Sequence, residues 1–211
     1  GGSVKIQDHT IRVKVPDFKK TKISLESAAE VRTSAMFMAP LLARRGEAII
    51  PNPGGCRIGA RPIDRIIDGL KQMGTEITYK SSDGYFYMKA PNGLRGTDYT
   101  FKKSTHTGTE TLILAAVLAK GETILRNVAQ EPEIDELILL LNQMGAKIKK
   151  NGRVIKIDGV GRLQATTFRV GPDRNEAVTL AIAAIITKGD VFIEGISNLQ
   201  LESFSEKLRE I

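Results

Sequence analysis

An α/β fold assembled from a repeated unit is what this 211-residue sequence predicts, and three observations carry it. The Gln-Met-Gly-x-x-Ile run at Gln72–Ile77 returns at Gln143–Ile148. An apolar helical stretch ends in a basic residue, a glycine and an acidic residue at Arg45-Gly46-Glu47, Lys120-Gly121-Glu122 and Lys188-Gly189-Asp190. Asp83-Gly84 and Asn151-Gly152 each stand between alternating runs, as two-residue hairpin turns do. Recurrence on this scale marks a repeated supersecondary unit, here helix, strand, helix, strand, tight turn, strand.

In chain order, Gly1-Gly2-Ser3 reads as a cloning scar, and Val4–Val15 alternates like the closing strand of a hairpin whose earlier parts are missing. From Pro62 to Met73, apolar Ile63, Ile66, Ile67, Leu70 and Met73 keep helical spacing, with Pro62 suited to the first turn and Gly74 to a left-handed cap. Pro132–Met144 followed by Gly145 carries the same punctuation. Past Pro172 a third helical stretch begins, and a further helix holding Leu201, Phe204 and Leu208 runs to the last residue. Two whole copies flanked by two incomplete ones are therefore expected. Residues 4–170 form one lobe, and residues 171–211 form a partial unit of a second lobe or complete the first.

Composition excludes several classes. With 41% hydrophobic and 26% charged residues, this is neither a disordered chain nor a fibrous one. The longest apolar runs, Leu112–Ala119 and Ala177–Ile186, fall short of the roughly 18 to 20 residues of a membrane span. A cytoplasmic protein without a membrane partner is expected. One cysteine, Cys56, and two histidines give no cluster spaced like a zinc site. The net charge of +7 suggests nucleic acid, but aromatics make up only 5% and no basic run is interleaved with them, so nucleic acid is not the expected partner. Phosphate-bearing small molecules fit the charge better.

The loop Pro53-Gly54-Gly55-Cys56-Arg57-Ile58-Gly59-Ala60-Arg61 is glycine-rich and feeds the helix beginning near Pro62. Such a loop approaches a ligand closely, and a helix start flanked by arginines attracts anions. A thiol among Arg57, Arg61 and Arg65 is expected to be acidified and reactive. Lys103, Ser104, Thr105 and His106 precede another helix, as a second anion site or an ordinary hydroxyl cap. Glu131-Pro132-Glu133 reads from its pattern as carboxylates favoured by a helix start.

These residues carry a resemblance. Gly54-Gly55-Cys56, Ile58-Gly59-Ala60-Arg61-Pro62 with Asp64, Ala115–Ala119, Glu131-Pro132-Glu133-Ile134 and Pro172-Asp173-Arg174 with Glu176 are similar to the UDP-N-acetylglucosamine 1-carboxyvinyltransferase family. The likeness runs from about Val4 to Ile211. It implies one lobe of the inside-out α/β barrel of enolpyruvyl transferases and the first committed step of peptidoglycan synthesis. In that step the enolpyruvyl group of phosphoenolpyruvate passes to the 3-hydroxyl of UDP-N-acetylglucosamine, without metal or organic cofactor. It further implies that Cys56 protonates the methylene carbon and is the fosfomycin target, and that Arg61 and Arg32 hold phosphoenolpyruvate. Pro62, Ile63, Asp64, Arg65, Lys103, Ser104, Thr105, His106 and Glu131 would hold the nucleotide sugar.

The sequence departs from that family at Arg65 and His106, where apolar residues are usual, and at Thr107, where glycine is usual. Other family active-site groups, including the carboxylate that takes the sugar hydroxyl proton, lie in sequence this chain lacks. A missing second lobe or a homodimer is implied. A non-catalytic sugar-nucleotide-binding or structural homologue that self-associates stays open beside the transferase, and an RNA-binding relative rests on charge alone.

Overall fold

A computed structural model of the chain describes residues 2–54 and 62–210, with backbone alone at 198 and 199. The chain divides into two compact units, Gly1–Gln164 and Ala165–Ile211.

The first unit opens with a hairpin of β1 (Ser3–Gln7) and β2 (Thr10–Lys14), so Val4–Val15 is not one strand. The reason is visible in the parity of the apolar residues. Val4 and Ile6 fall on even positions and Ile11 and Val13 on odd ones, which would put them on opposite faces of a single strand. Folding back at Asp8-His9 pairs Val4 with Val13 and Ile6 with Ile11, restoring one apolar face. Asp8 accepts a φ of 48°, within the tolerance of aspartate for left-handed backbone.

Helix α1 (Leu25–Glu30) is capped by the Ser24 hydroxyl, which accepts from the Ser27 N–H. A 3-10 turn over Arg32–Phe37 leads into α2 (Met38–Arg45), which ends on Gly46 at φ 67°. Strand β3 (Glu47–Pro51) then crosses to residues 52–54, and the chain resumes at Pro62 before α3 (Asp64–Gln72). This helix begins two residues later than its sequence suggests, with Ile63 as an N-cap lacking a side-chain hydrogen bond. Hairpin strands β4 (Glu76–Lys80) and β5 (Tyr85–Lys89) complete the first copy. Their turn is four residues long, because Lys80 pairs with Tyr85. Asp83 receives the Tyr85 N–H, and Gly84 takes the positive φ.

The second copy begins at β6 (Asp98–Thr100), followed by α4 (His106–Ala116), β7 (Glu122–Arg126), α5 (Pro132–Gln143), β8 (Lys147–Asn151) and β9 (Val154–Asp158). Here Asn151 pairs with Val154, so the turn is Gly152-Arg153, with glycine in the first loop position at positive φ. The repeat is evident in strand order, β3-β5-β4 in one sheet and β6-β7-β9-β8 in the other. Strand β6 runs parallel to β7, and an isolated parallel bridge between Lys22 and Ile49 occupies the same place beside β3. Arg126 on β7 grips Asp98 on β6 through two hydrogen bonds, which holds the Asp98 carboxyl below its usual range.

The core of this unit gathers around α4. Leu112, Ile113, Ala115 and Ala116 are fully buried with Leu42, Leu70, Leu125 and Ile134. Helix α3 approaches so closely at Gly69 that a Cβ there would lie 2.3 Å from the Leu112 side chain. Leu112→Ala is accordingly expected to destabilise the chain by about 3–5 kcal/mol in urea unfolding, while Leu139→Ala, on the exposed side of α5, changes it by less than about 1 kcal/mol.

The second unit holds α6 (Arg174–Thr187), a 3-10 turn over Asn198–Leu201, and α7 (Glu202–Arg209). Asp173 caps α6 by accepting from the N–H groups of Asn175 and Glu176. The third helix-to-strand turn expected from sequence is not formed, since no strand follows α6 among the described residues, and Lys188, not Gly189, takes the left-handed conformation at the helix end.

Candidate functional site

In the first unit the starts of α3 and α4 and the 3-10 turn at Arg32 converge on an open cavity of about 330 Å³. Arg32 and Ala35 line it from the 3-10 turn, and Pro62, Ile63, Arg65 and Ile66 from the α3 start. Lys103, Thr105, His106, Thr107 and Gly108 line it from the α4 start. Of the residues expected from sequence, the cavity thus gathers Arg32, Pro62, Ile63, Arg65, Lys103, Thr105 and His106. Asp64 sits in the first turn of α3 and Ser104 in the loop before α4, and neither is among the residues lining it. Cys56 and Arg61 lie outside the described residues.

The α4 start is tightly framed. Thr105 is the N-cap, and its hydroxyl accepts from the Gly108 N–H at 3.3 Å. A Cβ at Gly108 would meet the Thr105 methyl at 2.4 Å, so this cap and glycine at 108 go together. Buried Thr109 donates its hydroxyl to the Thr105 carbonyl at 2.7 Å and accepts the Ala129 N–H at 3.1 Å, tying the helix start to the loop before α5. Across the cavity, the Tyr99 hydroxyl donates to the Arg65 carbonyl at 3.1 Å and steadies the first turn of α3. Burial pushes the Tyr99 phenol above its ordinary value, so it remains a donor.

Electrostatically the cavity has two sides. Arg32, Arg65 and Lys103 face it, and no carboxylate is among its described lining residues. Behind His106 the sign reverses. Its Nε2 is enclosed, without a hydrogen bond, 3.7 Å from a Glu110 oxygen and 3.9 Å from a Glu133 oxygen. Burial pushes the Glu110 carboxyl up, His106 pulls it back, and Glu133 and Glu131 push it up again. Glu131 is not among the cavity-lining residues. It stands at the N-cap position of α5, where its carboxylate accepts the Gln130 N–H at 2.8 Å.

Ala35, Ile66, Thr107 and Gly108 line the cavity, and Glu110 lies behind it, without being among the site residues expected from sequence. Glu110 is four residues after His106 on a helix, a spacing that puts both on one face. Such a cavity can receive a ligand carrying phosphate groups, with a guanidinium from the 3-10 turn, another from α3 and the Lys103 ammonium beside the α4 start placed around it. Among the described residues no group of three His, Cys, Asp or Glu side chains is arranged to hold a metal ion, and no helix is long and apolar enough to cross a membrane.

Comparison with known proteins adds a family match, two curated relatives and two solved structures. The family model described as EPSP synthase (3-phosphoshikimate 1-carboxyvinyltransferase) matches residues 2–211. A UDP-N-acetylglucosamine 1-carboxyvinyltransferase of Trichlorobacter lovleyi is 41% identical over 211 residues, covering 100% of this chain and 50% of its own. One from Beijerinckia indica is 48% identical over 168 residues, covering 79% of this chain and 38% of its own. The chain thus spans about half the length of the curated relatives it matches. Among solved structures, the enolpyruvyl transferase NikO from Streptomyces tendae superposes with a TM-score of 0.72 at 17% identity, over 87% of this chain and 44% of that one. EPSP synthase from Acinetobacter baumannii gives 0.62 at 20% identity, over 88% of this chain and 42% of that one. The mixed α/β fold is therefore that of enolpyruvyl transferases.

Proposed function

Since this chain belongs to the EPSP synthase family of enolpyruvyl transferases, we propose that it forms part of a cytoplasmic UDP-N-acetylglucosamine 1-carboxyvinyltransferase acting in peptidoglycan synthesis. Residues 4–170 supply the cysteine-bearing lobe, and residues 171–211 belong to a second lobe or complete the first. The observation that carries the reading is the gathering of Arg32, Pro62, Ile63, Lys103 and Thr105 around one cavity whose edge, at Pro62, directly follows the Gly-Gly-Cys loop in the sequence. The curated relatives that bear the transferase name support it.

In the proposed reaction Cys56 gives a proton to the methylene carbon of phosphoenolpyruvate, leaving an oxocarbenium-like centre at the neighbouring carbon. The 3-hydroxyl oxygen of UDP-N-acetylglucosamine bonds to that carbon and loses its proton to a base. Breaking the carbon–oxygen bond to phosphate and removing a proton from the new methyl group regenerates the double bond. The products are inorganic phosphate and the enol ether. Arg61 and Arg32 hold the phosphoenolpyruvate anion, while the cavity-lining Pro62, Ile63, Arg65, Lys103, Thr105 and His106 hold the nucleotide sugar; Asp64, Ser104 and Glu131, implied by the family resemblance, do not line this cavity. A cation facing a phosphate in a partly dry cavity is worth more than one in open water.

Calorimetry distinguishes this reading from RNA binding. UDP-N-acetylglucosamine is expected to bind saturably and a short RNA not at all. Saturable RNA binding with no response to the sugar nucleotide overturns the proposal. Arg65 and His106 in the cavity favour a second reading, a non-catalytic sugar-nucleotide binder that self-associates. It binds the nucleotide equally well but leaves phosphoenolpyruvate unreacted.

A further inference from the structure

His106 stands where two opposite electrostatic environments meet. On one side is the cavity, with Arg32 on the 3-10 turn, Arg65 on α3 and Lys103 in the loop before α4. On the other are Glu110 from its own helix and Glu133 and Glu131 from the start of α5. The ring is thus in contact with the cavity while its Nε2 is enclosed against two carboxylate oxygens at 3.7 and 3.9 Å. Glu110 is only 17% exposed, so its charge is poorly screened by water.

We propose that His106, backed by Glu110 and Glu133, makes ligand binding in this cavity proton-linked, so that an anion docking against the cationic wall binds with net uptake of a proton by this cluster. The inference rests on the reading of the cavity as an anion site. The reason is one of charge. The cluster already holds two carboxylates against one imidazole, with Glu131 acting on Glu110 as well, and a phosphate arriving on the cavity side adds negative charge to the same small region. One proton taken up by this cluster offsets that addition. The proton-loaded state is consequently the one the anion selects.

The sign follows from linkage. A ligand that binds with proton uptake binds more weakly as pH rises, by at most about tenfold per pH unit for one proton. Where the cluster is already protonated, affinity does not change with pH. Discrimination among ligands follows as well, since a neutral ligand gains nothing from the proton.

The test is calorimetry of the chain with UDP-N-acetylglucosamine, whose diphosphate diester keeps its charge from about pH 6 to about pH 8.5, in buffers of different ionisation enthalpy. Buffer-dependent heats are expected, with affinity falling several-fold per pH unit. Both effects are expected to flatten in His106→Gln and in Glu110→Gln. Heats independent of buffer, or an uptake unchanged in both variants, overturn the proposal. Sulfate, also of constant charge here and read through the amide shifts of Thr107 and Gly108, separates this inference from the sugar-nucleotide reading. Sulfate binding with the same pH dependence and no binding of the sugar nucleotide sustains the linkage and refutes that reading. If neither ligand binds at any pH, both fail.

Discussion

Fosfomycin is expected to add to this chain once, at Cys56, with Cys56→Ser abolishing the adduct entirely in intact-mass spectrometry. The chemistry is opening of an epoxide. The thiolate sulfur bonds to a ring carbon, the carbon–oxygen bond breaks, and the oxygen takes a proton. A thiolate is required, and the sequence around Cys56 favours one, with Arg57 next in the chain, Arg61 five residues on, and the start of α3 following at Asp64. The phosphonate of the reagent also needs a cationic partner. Arg61→Gln is expected to slow labelling roughly ten- to a hundredfold, the loss of a charged hydrogen bond worth about 1.5–3 kcal/mol. Absence of any adduct, while a maleimide labels Cys56 readily, would falsify the assignment of this residue as the reactive acid.

Much of this molecule was legible in its sequence, and the parts that were not share a cause. The helices α3 and α5 followed from apolar spacing and glycine punctuation, because Gly74 and Gly145 do take the positive φ that ends a helix. The hairpins followed from Asp83-Gly84 and Asn151-Gly152, although the first loop is longer than its dipeptide suggests and the second is shifted by one residue. Neither shift changes which residues share a face, so the difference lies in the turns themselves, where Asp83 accepts the Tyr85 N–H and Gly152 takes the positive φ. The β1–β2 hairpin was legible in principle through the parity change between Ile6 and Ile11, but its Asp8-His9 turn lacks the glycine that draws attention. Strand β6 spans only three residues and owes its existence to β7 beside it.

The site divides in the same way. Cations near helix starts and the threonine cap at Thr105 are local features, and local features can be read from spacing. That Arg32, Arg65 and Lys103 converge, while Ser104 and Glu131 do not join them, depends on how the 3-10 turn, α3 and α4 pack. The approach of Glu133 to His106 is likewise set by the seating of α5 against α4, which Thr109 fixes through the Ala129 amide.

Reversing the charge at Arg65 is the substitution expected to affect nucleotide binding most. Arg65 is half-buried in the first turn of α3, where the Tyr99 hydroxyl holds its carbonyl and its side chain borders the cavity. Arg65→Glu keeps the helix start, since a carboxylate in a first turn is favoured by the helix dipole, so the effect of the change is on the ligand and not on the fold. Two charge units change within about 6 Å of a bound phosphate, which at an intermediate effective dielectric and with partial exposure amounts to about 1–3 kcal/mol, or roughly ten- to a hundredfold in Kd. The same net change at Lys147, exposed at the start of β8 and not among the cavity-lining residues, is expected to alter Kd by less than about twofold once salt screens the long-range field. The comparison separates a local contact from a general attraction between a basic protein and an anion. Equal losses in the two variants, both vanishing at high salt, would mean that the net charge of +7 and not the cavity recruits the nucleotide.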